Sequence, residues 1–182
     1  SALRLIDRAN PGVLDRSALK SFAASLGSDV TVCLDSVPSM MSGRGEKVKA
    51  VAGVPACGLL LVNPGVALSA ADVYWRLKAS PFTPDGAPVQ LPVFDGNFEA
   101  LLDYARPRAN DLESPAIALA PEISRVIAAL ESLPGAKLSK LSGSGATCFA
   151  LFIGEPEARQ AATLVASANP RWWVAATRLV SS

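Results

Sequence analysis

Apolar residues at helical spacing begin with Ala2, Leu3, Leu5, Ile6 and Ala9, which predicts a helix over residues 1–10. Asn10-Pro11-Gly12 stops it, because proline pushes the preceding residue out of the helical region and glycine ends what remains. Asp15 or Ser17 can cap a second helix through Ala18, Leu19, Phe22, Ala23 and Leu26, with Gly27 at its C-terminal end. Val30 to Leu34 is rich in β-branched residues and reads as a buried strand, leaving Ser28 and Asp29 on the turn before it. Ser42-Gly43-Arg44-Gly45-Glu46 reads as a turn of mixed charge.

The run Cys57 to Val62 is apolar without alternation, the pattern of a strand covered on both faces, and Asn63-Pro64-Gly65 closes it. Ser69 can cap a helix through Ala70, Val73, Tyr74 and Leu77 that ends before Ser80-Pro81. The proline-rich stretch from Pro81 to Pro92 reads as a loop, and residues 98–104 as a short helix. Asn110-Asp111-Leu112-Glu113 has the form of a capping box ahead of the helical positions Ile117, Leu119, Ile123, Val126, Ile127 and Leu130, with Pro121 restarting the run. Residues 137–141 and 146–153 read as strands joined by Ser142-Gly143-Ser144-Gly145, residues 157–168 as a helix and 172–180 as a final strand. From Val54 onward the order approximates βαααββαβ, an α+β arrangement with helices on one face of a mostly antiparallel sheet.

Composition narrows the chemistry. The chain has 182 residues, 50% of them hydrophobic, enough to bury a sizeable core. Its apolar residues never gather into a membrane-length run. Lys+Arg 17 against Asp+Glu 16, with no basic cluster, leaves no electrostatic footprint for nucleic acid or anionic lipid. Histidine is absent, which removes Ser-His-Asp and Cys-His mechanisms and imidazole metal ligands; base chemistry falls to Asp, Glu or Lys. Cys33, Cys57 and Cys148 are far apart and odd in number, which suggests neither a disulfide framework nor a thiolate metal site and fits a reducing cytoplasm.

Two local features could carry chemistry. Successive N–H groups in the Ser142-Gly143-Ser144-Gly145-Ala146-Thr147 loop can make a concave anion site suited to phosphate, although a plain hairpin turn needs the same residues. The loop is neither a Walker A sequence nor a dinucleotide turn, since a strand follows it. Asp29 can take a proton from a substrate hydroxyl, or simply bond its own backbone as an Asx turn. Tyr74 and Trp75 can stack on a base or serve packing, and Trp172-Trp173 most simply places one indole in the core and one outside.

The order and spacing of Leu26-Gly27-Ser28-Asp29-Val30, Gly43-Arg44-Gly45-Glu46, Asn63-Pro64-Gly65-Val66, Asn110-Asp111-Leu112-Glu113 and Leu141-Ser142-Gly143-Ser144-Gly145-Ala146-Thr147 resemble one group of the GHMP kinase superfamily. That group is the 4-diphosphocytidyl-2-C-methyl-D-erythritol kinases. The resemblance spans nearly the whole chain and implies a GHMP kinase fold, with residues 1–53 ending the N-terminal catalytic domain and 54–182 forming a ferredoxin-like C-terminal domain. It implies transfer of phosphate from ATP, with Mg²⁺, to a cytidine diphosphate-linked sugar alcohol in the non-mevalonate route to isoprenoid precursors.

By the same resemblance Asp29 is the catalytic base, Gly143, Ser144, Gly145 and Ala146 border the phosphates and shape the substrate pocket, and Tyr74 lies against the cytosine. It assigns no catalytic role to Glu46, Asn110 or Asp111. Thr31 stands where the family commonly has proline, which predicts a less rigid turn at Asp29. The family's main ATP loop is expected upstream of Ser1, with residues 1–10 as the body of the helix behind it, so these 182 residues alone are expected to lack appreciable kinase activity. The alternatives are another GHMP kinase, such as a mevalonate or homoserine kinase, and a non-catalytic binding module that retains the C-terminal domain.

Overall fold

A computed structural model describes residues 2–13, 15–43, 45, 47–78 and 90–180, with only the backbone at Ser28. The described chain falls into two units, one running to Gly53 and taking in the segment that ends at Val93, the other beginning at Val54 and resuming at Phe94.

In the first unit, α1 (Ala2–Ala9) and α2 (Arg16–Leu26) follow the predicted spacing, and the Asp15 side chain caps α2 by accepting from the Ala18 N–H at 2.7 Å. The next segment departs from expectation. Residues 28–35 form a helix, α3 (Ser28–Asp35), not a strand, so Asp29 occupies a first helical turn and not the turn before a strand. The reason is tertiary: Leu34 and the half-buried Val30, four residues apart and hence on one helical face, pack with Leu19 and Ala23 of α2 and Leu3 of α1. That contact overrides the β-propensity of Val-Thr-Val. Thr31 accordingly lies within α3 and not on a turn before a strand. Arg16 and Lys20 on α2 pair with Asp35 at the end of α3. β1 (Ser39–Ser42) and β2 (Lys47–Ala50) form an antiparallel hairpin. Arg44 and Glu46, in its turn, lie outside the described residues.

The second unit is built around β3 (Cys57–Asn63). Its even-numbered side chains, Leu60 and Val62, join the main core, while Cys57 and Leu59 face the other side. The continuous apolar run therefore serves two buried faces. β3 pairs antiparallel with β5 (Cys148–Phe152) through Gly58↔Phe152 to Val62↔Cys148, and with β6 (Trp173–Leu179) through Cys57↔Leu179 to Asn63↔Trp173. β4 (Leu138–Leu141) completes the order β4-β5-β3-β6. β5 thus lies between β3 and β4, the split arrangement of a ferredoxin-like βαββαβ unit.

One face of this sheet is covered by α6 (Glu113–Leu119), α7 (Glu122–Glu131) and α8 (Glu155–Ala168), through Ala116, Ile123, Val126, Leu130, Ala158, Ala161 and Val165. Val73 of α4 (Ala70–Leu77) joins the same core. The expectation of helices on one face is incomplete, because α5 (Phe98–Ala105) packs Leu102 against Cys57 and Leu151 on the opposite face. A strand apolar on both sides needs cover on both sides. β3 also passes closely beneath the start of α8: a Cβ on Gly58 would lie 2.0 Å from the Gly154 carbonyl oxygen, so only glycine fits there. Trp172 packs against the main core and Trp173 is exposed, the division expected of that pair. Of the predicted proline-rich loop, residues 81–89 lie outside the described residues.

Candidate functional site

The loop between β4 and β5 closes as a tight turn. The Ser142 N–H donates to the Thr147 carbonyl at 2.9 Å, and the Gly145 N–H to the Ser142 carbonyl at 3.0 Å. Its two glycines face different surroundings. At Gly145, where φ is +89°, a Cβ would meet Leu141 Cδ1 at 3.0 Å, Leu68 Cδ2 at 3.3 Å and Ile123 Cδ1 at 3.4 Å. Backbone conformation and space both call for glycine there. At Gly143 no atom lies within 4 Å of that position. Ser144 is half-buried and Ala146 fully buried, so the loop is anchored at its Ala146 end and open at Gly143.

Two asparagines hold the stems of this loop. Asn63, at the end of β3, donates from Nδ2 to Thr147 Oγ1 at 3.0 Å and accepts from the Gly65 N–H at 2.8 Å. Asn110 donates from Nδ2 to the carbonyls of Gly143 at 2.8 Å and Leu141 at 3.2 Å, while its Oδ1 accepts from the Leu112 N–H at 3.0 Å. The predicted capping box is therefore not formed. Glu113 begins α6 without a side-chain cap, and Asn110 spends its amide on an Asx turn and on the glycine loop. The Asn-x-x-Glu spacing signals a local turn, but nothing in it reveals partners more than thirty residues downstream.

Tyr74 lies on α4 with 60% of its surface exposed, beside the buried Val73. Leu68, on the segment leading into α4, is the neighbour that this stretch places against Gly145. Asp29 is exposed in the first turn of α3, where the positive end of the helix favours a carboxylate. It belongs to the first unit, and Tyr74 and the glycine loop belong to the second.

Cys148, fully buried where β5 leaves the loop, has its thiol pushed up from 9.0 to about 12, first by burial and then by the nearby Glu113 carboxylate. Burial raises Cys57 as well. Both are inert packing groups and not nucleophiles. Among the described residues no three His, Cys, Asp or Glu side chains converge as a metal site, and no helix is long and apolar enough to cross a membrane.

Residues 92–171 match the family model described as GHMP kinases C terminal. A 4-diphosphocytidyl-2-C-methyl-D-erythritol kinase of Parvibaculum lavamentivorans is 46% identical over 157 residues, covering 86% of this chain and 53% of the relative. The protein of the same name from Methylorubrum extorquens is 42% identical over 182 residues, covering 98% of this chain and 62% of the relative. The chain carries the C-terminal domain of the GHMP kinases. A crystal structure of 4-(cytidine 5'-diphospho)-2C-methyl-D-erythritol kinase superimposes with a TM-score of 0.69 at 30% identity, covering 94% of this chain and 60% of that one. The GHMP kinase fold accounts for the antiparallel sheet and the helices on it. The chain spans between about half and two thirds of the length of the curated relatives it matches.

Proposed function

We propose that the protein containing this chain transfers the γ-phosphoryl group of ATP to the 2-hydroxyl of 4-diphosphocytidyl-2-C-methyl-D-erythritol, in the cytoplasm, on the route to isoprenoid precursors. The observation that carries this reading is the 46% identity, over 86% of the chain, to a relative bearing that kinase's name. On this reading residues 1–53 close the N-terminal catalytic domain and residues 54–182 form the C-terminal domain. The phosphate-binding ATP loop then comes from sequence outside these 182 residues.

Asp29 orients the acceptor hydroxyl and takes its proton as the oxygen attacks the γ-phosphorus. The bond from that phosphorus to the β-phosphate oxygen breaks, and ADP leaves. Gly143, Ser144, Gly145 and Ala146 border the substrate phosphates with backbone and hydroxyl donors, and Tyr74 offers its exposed ring to the cytosine. Mg²⁺, which keeps waters and binds through phosphates and one or two carboxylates, supplies charge neutralisation on the nucleotide; no residue of this chain is assigned to it.

The test uses the full-length protein with ATP and each of three acceptors, followed by ³¹P NMR. A new phosphomonoester with the cytidine diphosphate alcohol, and none with homoserine or mevalonate, is the expected result; the reverse preference would overturn the reading. Asp29→Asn should then lower turnover by about 10²- to 10⁴-fold while ATP binding, measured calorimetrically, stays unchanged. Near-normal turnover in that variant would remove Asp29 from the mechanism.

A further inference from the structure

Of the four backbone carbonyls from Leu141 to Ser144, the glycine loop has three already engaged. Asn110 Nδ2 takes those of Leu141 and Gly143, and the Gly145 N–H takes that of Ser142. Among the described residues the N–H groups of Gly143 and Ser144 carry no such partner, and the Gly143 side of the loop is open. Without the Asn110 amide, the carbonyls of Leu141 and Gly143 would lose this donor and could compete for the open face. A carbonyl there repels a phosphate oxygen, whereas an N–H attracts it.

We propose that Asn110 is a positioning residue that fixes the polarity of the glycine loop, turning carbonyls inward so that N–H groups face the diphosphate of the substrate. This rests on the reading above that the loop borders those phosphates. The geometry is specific to an amide. One side chain donates twice to the loop and accepts once from the Leu112 N–H, so it locks the loop to the start of α6. A carboxylate of the same shape keeps the Leu112 contact and loses both donors.

The experiment compares full-length wild type with Asn110→Asp, and with Asn110→Ala in case the carboxylate prevents folding. The KM for the cytidine diphosphate alcohol should rise at least about tenfold, with kcat falling less than about twofold. A merely structural role would shrink the folded, active fraction, lowering kcat and leaving KM alone, and that pattern would overturn the proposal. Hydrogen exchange supplies a readout that needs no substrate. The peptide covering residues 141–147 should exchange at least about tenfold faster in either variant, while peptides from α7 and α8 keep wild-type rates. Unchanged exchange in the loop, or acceleration spread equally over α7 and α8, would defeat the clamp. If wild type shows no turnover with this alcohol, the proposed function fails, and the exchange result alone decides the role of Asn110.

Discussion

The helical pair α2 and α3 and the sheet unit are stabilised on very different scales. Leu19, Ala23 and Leu34, with Leu3 and Val30 against them, form the core beneath the helical pair. The sheet unit buries side chains from five helices and three strands on two faces, with half-buried residues of β6 packed against them. Hydrophobic stabilisation follows apolar area removed from water, so the region holding Asp29 has the smaller reserve and the region holding the glycine loop the larger. The proposed base is thus carried by a region with a small described core and the phosphate-bordering loop by one with a large core. Loops that must hold backbone donors in place gain from a deep core; an exposed carboxylate needs only one well-placed helical turn.

The largest effect should come from Gly58→Ala. Its Cβ would enter the Gly154 carbonyl at 2.0 Å, so β3 or the start of α8 must move, at a cost of about 3 kcal/mol. Urea unfolding followed by tryptophan fluorescence, dominated here by Trp172 against the core, measures it; an unchanged midpoint would mean that this close approach relaxes freely. Leu34→Ala comes next, at about 2 kcal/mol, because the cluster around it is small and can partly collapse. Hydrogen exchange should quicken in α2 and α3 but not in β3 or β5. Equal acceleration in the sheet would erase the contrast between the two units.

Cys148 supplies the smallest effect and bears on the sheet side alone. Its folded thiol titrates near 12 against 9.0 when unfolded, so above 9 the unfolded chain loses a proton that the folded chain keeps. Stability therefore falls as pH rises, by at most about 1.4 kcal/mol per pH unit once the unfolded thiol is ionised, and the full contribution is present below 9. Denaturant melts at successive alkaline pH values should show this slope, reduced in Cys148→Ala. Below 9 a thiol reagent should label the exposed Cys33 and spare Cys57 and Cys148.

Much of the sheet unit was readable because its elements carry their own punctuation. Ser69 caps α4, Pro121 restarts the helix at α7, and Asn63-Pro64-Gly65 ends β3, each by local backbone chemistry. The misreadings share one cause, which is a distant partner. Val30 to Leu34 looks β-rich until α2 offers its apolar face, and Asn110 looks like a cap until the Gly143 carbonyl is placed beside it. The glycine loop was visible as a loop, but its division into a packed end at Gly145 and an open end at Gly143 depends on Leu68 and Ile123, which no local pattern connects to it. Motif resemblance singled out Asp29 and Tyr74, whereas propensity alone put Asp29 on the wrong kind of element.

The position of β3 between β5 and β6 also governs how the chain must be made. Asn63 and its partner Thr147 are separated by 84 residues, which a ribosome adds in roughly 4–17 s. Through that interval the most apolar strand of the protein has neither of its neighbours. The nascent chain must shelter it, by early collapse onto α4 and α5 or by a chaperone, and a slowed ribosome would lengthen its exposure to aggregation.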